Sequence, residues 1–293
     1  MNERLNQKRL LHARLLALAA AVLWSTSGLF LKSPELSRLP IESRGVLLAC
    51  YRALFAAGIL ALFLKPQTMK FRPALVPMVL IFSVMSLLFI TAMTRTTAAA
   101  AIFLQYTSSI WAFVFGVFFL KEKLERANLT ALLFVMAGIC TIVAGDWNGE
   151  NFTGNLIALC SGLSYAAVIL FLRHLRSENS FWLIFLNHLV AGLILLPAVF
   201  WLHVPLSPMQ WTLIAVMGVF QMGLPYVLFA KAVQHISVQE AALITLLEPI
   251  LNPCWVWIFW GESVPESTLL GGGLIIAGLL ARYCLFSSGQ KSH

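Results

Sequence analysis

Long apolar runs separated by short polar connections make up almost the whole chain. Ten runs of about 17 to 23 residues can be distinguished, and as helices each would span about 30 Å, the thickness of the hydrocarbon layer of a bilayer. The pattern therefore predicts an all-α integral membrane protein with ten transmembrane helices. The predicted spans cover residues 14–31, 46–64, 75–93, 98–120, 129–145, 155–172, 181–202, 211–230, 238–260 and 269–286.

The first of these runs has a second interpretation. It follows a basic start and contains small residues at 17–21, which is also typical of a signal peptide. The apolar run continues from Trp24 to Leu31, however, and it takes part in an internal repeat. We therefore interpret it as the first transmembrane helix.

That repeat relates the two halves of the chain. The segment ALAAAVLWSTSGLFLK at residues 17–32 aligns with ALCSGLSYAAVILFLR at residues 158–173, an offset of 141. At an offset of 140, Glu122 aligns with Glu262, and each follows an apolar aromatic run. Several segments thus share nearly one offset, which indicates a doubled unit.

Each unit contains five predicted helices. The units cover residues 14–145 and 154–286, with tails at 1–13 and 287–293. Because five is an odd number, the second unit must cross the membrane in the opposite sense. The sequence therefore predicts two inverted repeats, an arrangement that places a binding site near the midplane and supports alternating access.

The composition agrees with an integral membrane protein, and the distribution of its basic residues indicates how the chain is oriented in the membrane. Only 11% of the 293 residues are charged and the mean hydropathy is +0.85, whereas roughly a quarter of a soluble domain is charged. Lysine and arginine mark cytoplasmic connections. With a cytoplasmic N-terminus, fifteen of the 20 basic residues lie on the inner side, and Lys32, Arg38, Arg44 and Arg95 lie on the outer side. Both termini are therefore predicted to be cytoplasmic, and the net charge of +8 does not indicate nucleic-acid binding.

The five cysteines all lie within apolar runs and show no CxxC spacing. This pattern predicts small core residues rather than disulfides or metal ligands. No metal or cofactor is expected.

Glu248 is the first candidate for a functional residue. An ionisable group at the centre of a span costs about 2.5 to 3.5 kcal/mol to insert, so it is usually paired or faces water. Glu248 lies about 15 Å into the ninth span, near the midplane. Pro249 deprives the carbonyl of Thr245 of its usual partner, so the helix should kink or open here. Asn252, one turn on, can share the face of Glu248. Glu248 is expected to bind a substrate amine or carry a proton, or else to form a structural pair with Arg52.

Arg52 and His188 occupy comparable depths in the second and seventh spans, near an offset of 136. Arg52 is a candidate for binding a substrate carboxylate through two hydrogen bonds, and a structural role at nearby helix ends is the alternative. His188 is a candidate for substrate binding or proton relay, with simple packing as the alternative.

Other polar and aromatic residues lie inside the spans and would suit a cavity for an amphipathic organic molecule. Serine and threonine in such helices also bond their own backbone or a neighbouring helix, which is the competing interpretation. The remaining members of the candidate site are Trp24, Ser27, Tyr106, Ser108, Trp111, Tyr165 and Gln221.

Residues near the span ends are given structural roles. Trp255, Trp257 and Trp260 are expected to form an interfacial belt, and Glu122 and Glu262 to cap or pair at helix ends. Glycines in the fifth and tenth spans, Gly138, Gly271, Gly272, Gly273 and Gly278, indicate close helix packing.

No motif of an enzyme or an ATP-driven pump is found in the sequence. HExxH, Walker A and GxSxG patterns are all missing, and no connection is long enough to hold a nucleotide-binding domain. A secondary transporter is therefore expected, as a monomer or homodimer in the lipid bilayer. A channel or uniporter-like facilitator is the nearer alternative, and a non-transporting membrane sensor or enzyme the more distant one.

Taken together, these motifs resemble the drug/metabolite transporter superfamily, and within it the EamA-type bacterial transporters. The resemblance covers residues 14–284 and is carried by WSTSGLFLK in the first span, Tyr51-Arg52-Ala53 in the second, and Glu248-Pro249 and Gly261-Glu262 in the ninth. It implies a carrier in the bacterial inner membrane, with a central cavity between its halves, that moves small metabolites or drugs, often outward. We expect an exporter of amino acids or related amphipathic compounds, with protons as a candidate coupling ion.

One departure qualifies this resemblance. The first half has Ser108-Ser109 and Lys121-Glu122 at the positions where the second has Glu248-Pro249 and Gly261-Glu262. The two halves therefore need not contribute equally to the site.

Overall fold

The computed structural model describes residues 2–121 and 126–284, and within these ranges every regular element is a helix. The elements are α1 (Asn2–Ser25), α2 (Ser27–Leu31), α3 (Pro34–Ser37), α4 (Ile41–Ala61), a 3₁₀ turn (Pro66–Thr68), α5 (Leu75–Arg95), α6 (Ala98–Tyr106), α7 (Ser108–Leu120), α8 (Arg126–Gly145), α9 (Phe152–His174), α10 (Ser180–Leu202), α11 (Pro208–Val216), a π-helix (Met217–Gly223), α12 (Leu224–Ala232), α13 (Val238–Thr245), α14 (Leu247–Trp260) and α15 (Glu266–Cys284).

Eight helical stretches of the described chain are long and apolar enough to cross a membrane. They correspond to eight of the predicted spans, while residues 129–145 form a shorter apolar helix and the last predicted span corresponds to α15. The all-helical, multi-span architecture is confirmed. The count of ten spans and the inverted repeat stay predictions, and Glu122 lies outside the described residues.

The connections meet at two opposite faces of the bundle. We call the face where α1 begins the proximal face and the face where α2 ends the distal face. On the proximal face, Arg72 pairs with Glu178 at 2.9 Å. On the distal face, Lys32 pairs with Glu262 at 2.8 Å. These pairs join connections that are far apart in sequence.

Helices of the first half pack mainly on helices of the second. The principal partners are α8 with α15, α5 with α9, α4 with α10, and α1 with α12. At the α8–α15 crossing, a Cβ on Gly138 would lie 2.5 Å from the carbonyl oxygen of Gly271, and a Cβ on Gly271 would lie 2.6 Å from that of Gly138. Only glycine permits this approach, so the predicted close packing is confirmed for this pair.

The first segment packs as a helix of the bundle. Ala17, Ala20 and Ala21 are fully buried, and α1 packs against α12 and α14. These small residues lie where α1 meets its neighbours, which explains the pattern that also suggested a signal peptide.

Four of the spans are interrupted along their length. Breaks occur at Thr26, Thr107 and Leu246, and the π-helix forms the fourth interruption. The break at Leu246 confirms the opening predicted from Pro249. The π-helix is followed by Pro225. The breaks at Thr26 and Thr107 have no such proline signal, but at each of them the threonine hydroxyl donates a hydrogen bond to the carbonyl three residues earlier.

Two sequence-based predictions are wrong in detail. Cys140, Cys160 and Cys254 are exposed free thiols, and only Cys50 is a buried core thiol among the four cysteines whose side chains the structure describes. A lipid-facing surface is as apolar as a core, so hydropathy does not separate the two. Trp255 is not part of an interfacial belt, because its indole N–H donates to the Ser25 hydroxyl at 2.9 Å.

Candidate functional site

A cavity of about 770 Å³ lies between the two halves. Its mouth is at the proximal face, where Arg176 and Asn179 of the α9–α10 connection and Gln234 of the α12–α13 connection line it. Its inner end reaches Trp24 and Glu248. Among the described residues, none from the connections of the distal face lines the cavity, so it opens to one side.

Glu248 lies in the first turn of α14, directly after the break at Leu246. Its carboxylate accepts a hydrogen bond of 2.6 Å from the hydroxyl of Tyr106, the last residue of α6. The amino-terminal end of a helix favours negative charge, so α14 itself supports the carboxylate. The two interrupted spans therefore meet at this acidic group.

Arg52 brings a positive charge to the same cavity. Its side chain is buried on α4, and its Nε and Nη1 atoms have no hydrogen-bond partner among the described residues. The structure shows no ion pair between Arg52 and Glu248 in the part of the chain it describes, and Glu248 instead bonds Tyr106. Because buried polar atoms are normally paired, Arg52 is well placed to bind an anionic group.

Three further cavity residues carry buried polar atoms that lack a partner within the described ranges: Asn187 Oδ1, His188 Nε2 and Gln221 Oε1. His188 Nδ1 lies 2.8 Å from the carbonyl of Ile184, so in the neutral ring this nitrogen carries the proton and Nε2 is an acceptor. The cavity thus presents unpaired acceptors beside the donors of Arg52.

Aromatic rings form one wall of the cavity. The ring centroids of Trp24 and Tyr226 are 5.1 Å apart, and those of Tyr226 and His188 are 5.5 Å apart. The ring of Phe82 also packs against His188, with the two ring centroids 4.9 Å apart. This wall offers apolar surface to the part of a ligand that carries no charge.

The π-helix positions Gln221 in this wall. Its amide nitrogen donates to the carbonyl of Trp24 at 3.2 Å, just before the break that separates α1 from α2. π-Helical turns are often associated with functional sites. The contact links the eighth predicted span to the first at the level of the cavity.

Most of the candidates predicted from the sequence line this cavity. Those that do are Trp24, Arg52, Tyr106, Ser108, Tyr165, His188, Gln221 and Glu248. Their functional roles stay predictions, but the structure brings them together around one volume.

Ser27, Trp111 and Asn252 are not among the residues that line this cavity, and their assignment to the site stays a prediction. Asn252 donates to the hydroxyl of Ser27 at 2.7 Å, and both side chains are fully buried between α2 and α14. The indole of Trp111 donates to Thr107 at 3.1 Å, beside the break in the fourth span. The Asn252–Ser27 bond therefore joins α2 to α14, whereas the Trp111–Thr107 bond lies within the first turn of α7.

Asn187 also lines the cavity and was missed as a site residue. It precedes His188 in an otherwise apolar run, and this polar pair was a usable signal. Within the described residues there is no group of three or more His, Cys, Asp or Glu side chains that could hold a metal ion.

Comparison with known proteins gives a consistent result. A family model described as the EamA-like transporter family matches residues 12–144 and, a second time, residues 152–283. An uncharacterized transporter from Archaeoglobus fulgidus is 28% identical over 66% of this chain and 69% of that protein. The uncharacterized transporter YxxF from Bacillus subtilis is 23% identical over 63% of this chain and 61% of that protein.

A solved crystal structure has the same fold. It aligns with a TM-score of 0.68 and 16% identity, covering 96% of this chain and 99% of the other. At this level of identity the likeness concerns the fold alone.

Proposed function

Because the chain belongs to the EamA-like transporter family, we propose that it is a secondary carrier for small zwitterionic or amphipathic metabolites, with amino acids as the leading class. It is a multi-pass membrane protein, and in this proposal it exports its cargo across the bacterial inner membrane by alternating access. The termini lie in the cytoplasm, as the distribution of lysine and arginine indicates.

The observation that carries the substrate class is the pair of opposite charges in one cavity. Arg52 offers buried, unpartnered N–H donors, and Glu248 offers a carboxylate supported by a helix end and by Tyr106. A zwitterion carries both complementary groups, so its carboxylate would bind Arg52 and its ammonium would bind Glu248. The aromatic wall would then contact the apolar side chain.

The single opening of the cavity favours a carrier over a channel. A channel needs a continuous path between its two faces, whereas the described residues that line this cavity belong to the proximal face and the interior, and none belongs to a distal connection. A carrier exposes its site to one side at a time. With cytoplasmic termini, the proximal face is the cytoplasmic one, and the site faces the side from which an exporter loads.

Three features support two inverted repeats. The family model matches the chain twice, and the breaks at Thr107 and Leu246 occupy nearly corresponding positions in the two halves. The contacts between helices are also symmetric. The third span (α5) packs on the sixth (α9), and the corresponding spans of the other half, the eighth (with α12) and the first (α1), pack on each other in the same way. Discontinuous helices at a midplane site are typical of such carriers.

Exchange in liposomes tests this function. Purified protein is reconstituted, and exchange of a panel of labelled amino acids and organic cations is measured with and without a pH gradient. We expect saturable exchange of at least one zwitterion that responds to the gradient. Glu248→Gln should abolish that response, because its amide cannot carry a proton in place of the carboxylate.

Glu266→Gln is the matched control, since Glu266 is exposed in the first turn of α15 and outside the cavity. It should behave as the parent. Flux that rises linearly without saturation would indicate a channel, and exchange of cations alone would contradict the zwitterion. A pH response retained by Glu248→Gln would remove Glu248 from coupling.

A further inference from the structure

The distal face is closed by a small cluster of charged and backbone groups. The Glu262 carboxylate lies 2.8 Å from Lys32 Nζ through Oε2, and its Oε1 accepts a hydrogen bond of 2.7 Å from the backbone N–H of Ala98. Lys32 Nζ also donates to the carbonyl of Thr96 at 2.6 Å. We call this cluster, formed by Lys32, Glu262 and the backbone of Thr96 and Ala98, the distal clasp.

The clasp joins three elements that are distant in sequence. Lys32 follows α2, Ala98 begins α6, and Glu262 follows α14. Gly261 ends α14 in the left-handed conformation, with φ of 65°, a geometry that glycine adopts without strain. This turn brings Glu262 to the amino-terminal end of α6, where a carboxylate is stabilised by the exposed N–H groups and the helix dipole.

A tight seam between α2 and α14 lies below the clasp. Trp260 donates to the carbonyl of Leu29 at 2.7 Å, and Asn252 donates to Ser27 at 2.7 Å. A Cβ on Gly28 would lie 2.7 Å from Val256 and 2.5 Å from the Asn252 side chain. At this seam α2 and α14 are in direct contact, so a solute cannot pass between these two helices from the inner end of the cavity.

The clasp differs from the seam in its access to water. The side chains of Lys32 and Glu262 are 20% and 21% exposed, whereas Ser27 and Asn252 are fully buried. Because both side chains are partly accessible, Lys32 and Glu262 can be hydrated when they separate. The ion pair can therefore break without leaving a charge in an apolar interior. This is the property required of an interaction that must break and reform.

We propose that the distal clasp is the releasable lock that keeps the cavity closed to the distal face and that must break before the cavity can open there. The proposal rests on the proposed function to the extent that a carrier has to open on both sides. It gives Lys32 and Glu262 a conformational role beyond the capping and pairing expected for Glu262 from the sequence.

The test uses a reporter cysteine in the seam, below the clasp. Ser27→Cys is introduced into a variant whose native cysteines are replaced by alanine, and the protein is placed in lipid nanodiscs. Both faces are then open to a water-soluble maleimide, so the labelling rate depends neither on orientation nor on knowing the cargo. A second reporter, Ser109→Cys, lines the cavity that opens to the proximal face.

Glu262→Gln should raise the labelling rate at position 27 by about fivefold or more and lower it at position 109. Lys32→Met should have the same effect, and the double variant should add little, because either change alone breaks the same pair. Arg38→Gln is the control, since it removes an exposed ion pair with Glu35 on the same face and should change neither rate.

Other outcomes overturn the proposal. An unchanged rate at position 27 in both clasp variants would show that the ion pair does not hold the seam closed. A rise at both reporters would show general loosening of the fold, and an equal rise in Arg38→Gln would show an effect of surface charge. A protein with a working clasp but no exchange in liposomes would contradict the proposed function and leave the lock standing.

Discussion

At the scale of single residues, the hydroxyl of Tyr106 holds a central position. It lies 2.6 Å from the Glu248 carboxylate and 2.9 Å from the carbonyl of Thr245, so two acceptors compete for one hydroxyl proton. An ionised Glu248 accepts that proton in a hydrogen bond. A protonated Glu248 can instead donate to the Tyr106 oxygen, which lets the hydroxyl turn to Thr245.

Tyr106→Phe should therefore slow exchange by about tenfold, the equivalent of about 1.4 kcal/mol, and alter its pH profile. The phenylalanine keeps the ring but loses a hydrogen bond to a charged group, the stronger kind of hydrogen bond. Tyr51→Phe is the control, because Tyr51 packs against Trp211 at 4.6 Å and does not line the cavity. Equal rates and pH profiles in all three proteins would contradict a role for the hydroxyl.

The sequence could single out Glu248 and Arg52 because charges in apolar spans are costly. It could not separate Glu248 from Asn252. Side chains four residues apart lie on a similar face of a helix, but they are also about 6 Å apart along the helix axis. Asn252 consequently lies one turn nearer the distal face, in the seam with Ser27. Whether a residue at this position lines the cavity depends on how far the cavity extends, which the sequence does not indicate.

At the scale of helices, the sequence predicted interruptions only where proline forces them. Pro249 indicated the break at Leu246, but the break at Thr107 follows an alanine-rich, helix-favouring segment. Its cause is tertiary: Thr107 is fully buried and α6 and α7 both pack on α9. Such a break becomes visible only when the neighbouring helix is in place.

The α8–α15 crossing gives a prediction about stability at this scale. Gly271→Ala should lower the free energy of unfolding by about 1–3 kcal/mol, since its new methyl group would be forced against the Gly138 carbonyl. Gly273→Ala should be neutral or stabilise by up to about 1 kcal/mol, because nothing lies within 4 Å of a Cβ there. Thermal unfolding in detergent compares the two, and equal melting temperatures would contradict this packing.

At the scale of the whole molecule, hydropathy was sufficient to locate the spans. It could not indicate which side of each helix faces the lipid and which faces the core. Lipid-facing and core-facing surfaces are both largely apolar, so the exposed Cys140 and the buried Cys50 look alike in sequence. The orientation depends on lysine and arginine alone. It can be measured directly.

Single cysteines at two connections provide that measurement. In intact cells, a cysteine replacing Glu150, between α8 and α9, should react with a membrane-impermeant maleimide. One replacing Gln67, between α4 and α5, should react only after the cells are permeabilised. Labelling of both from the same side would contradict the predicted topology and, with it, the inverted repeats.

The size of the cavity has an osmotic consequence. Water occupies about 30 Å³ per molecule in the liquid, so a cavity of about 770 Å³ has room for on the order of tens of water molecules. A small zwitterion fills only part of that volume, and the remainder is hydrated. Under the proposed alternating access, each cycle would move water together with the cargo. Osmolytes too large to enter the mouth would withdraw that water and should therefore slow turnover.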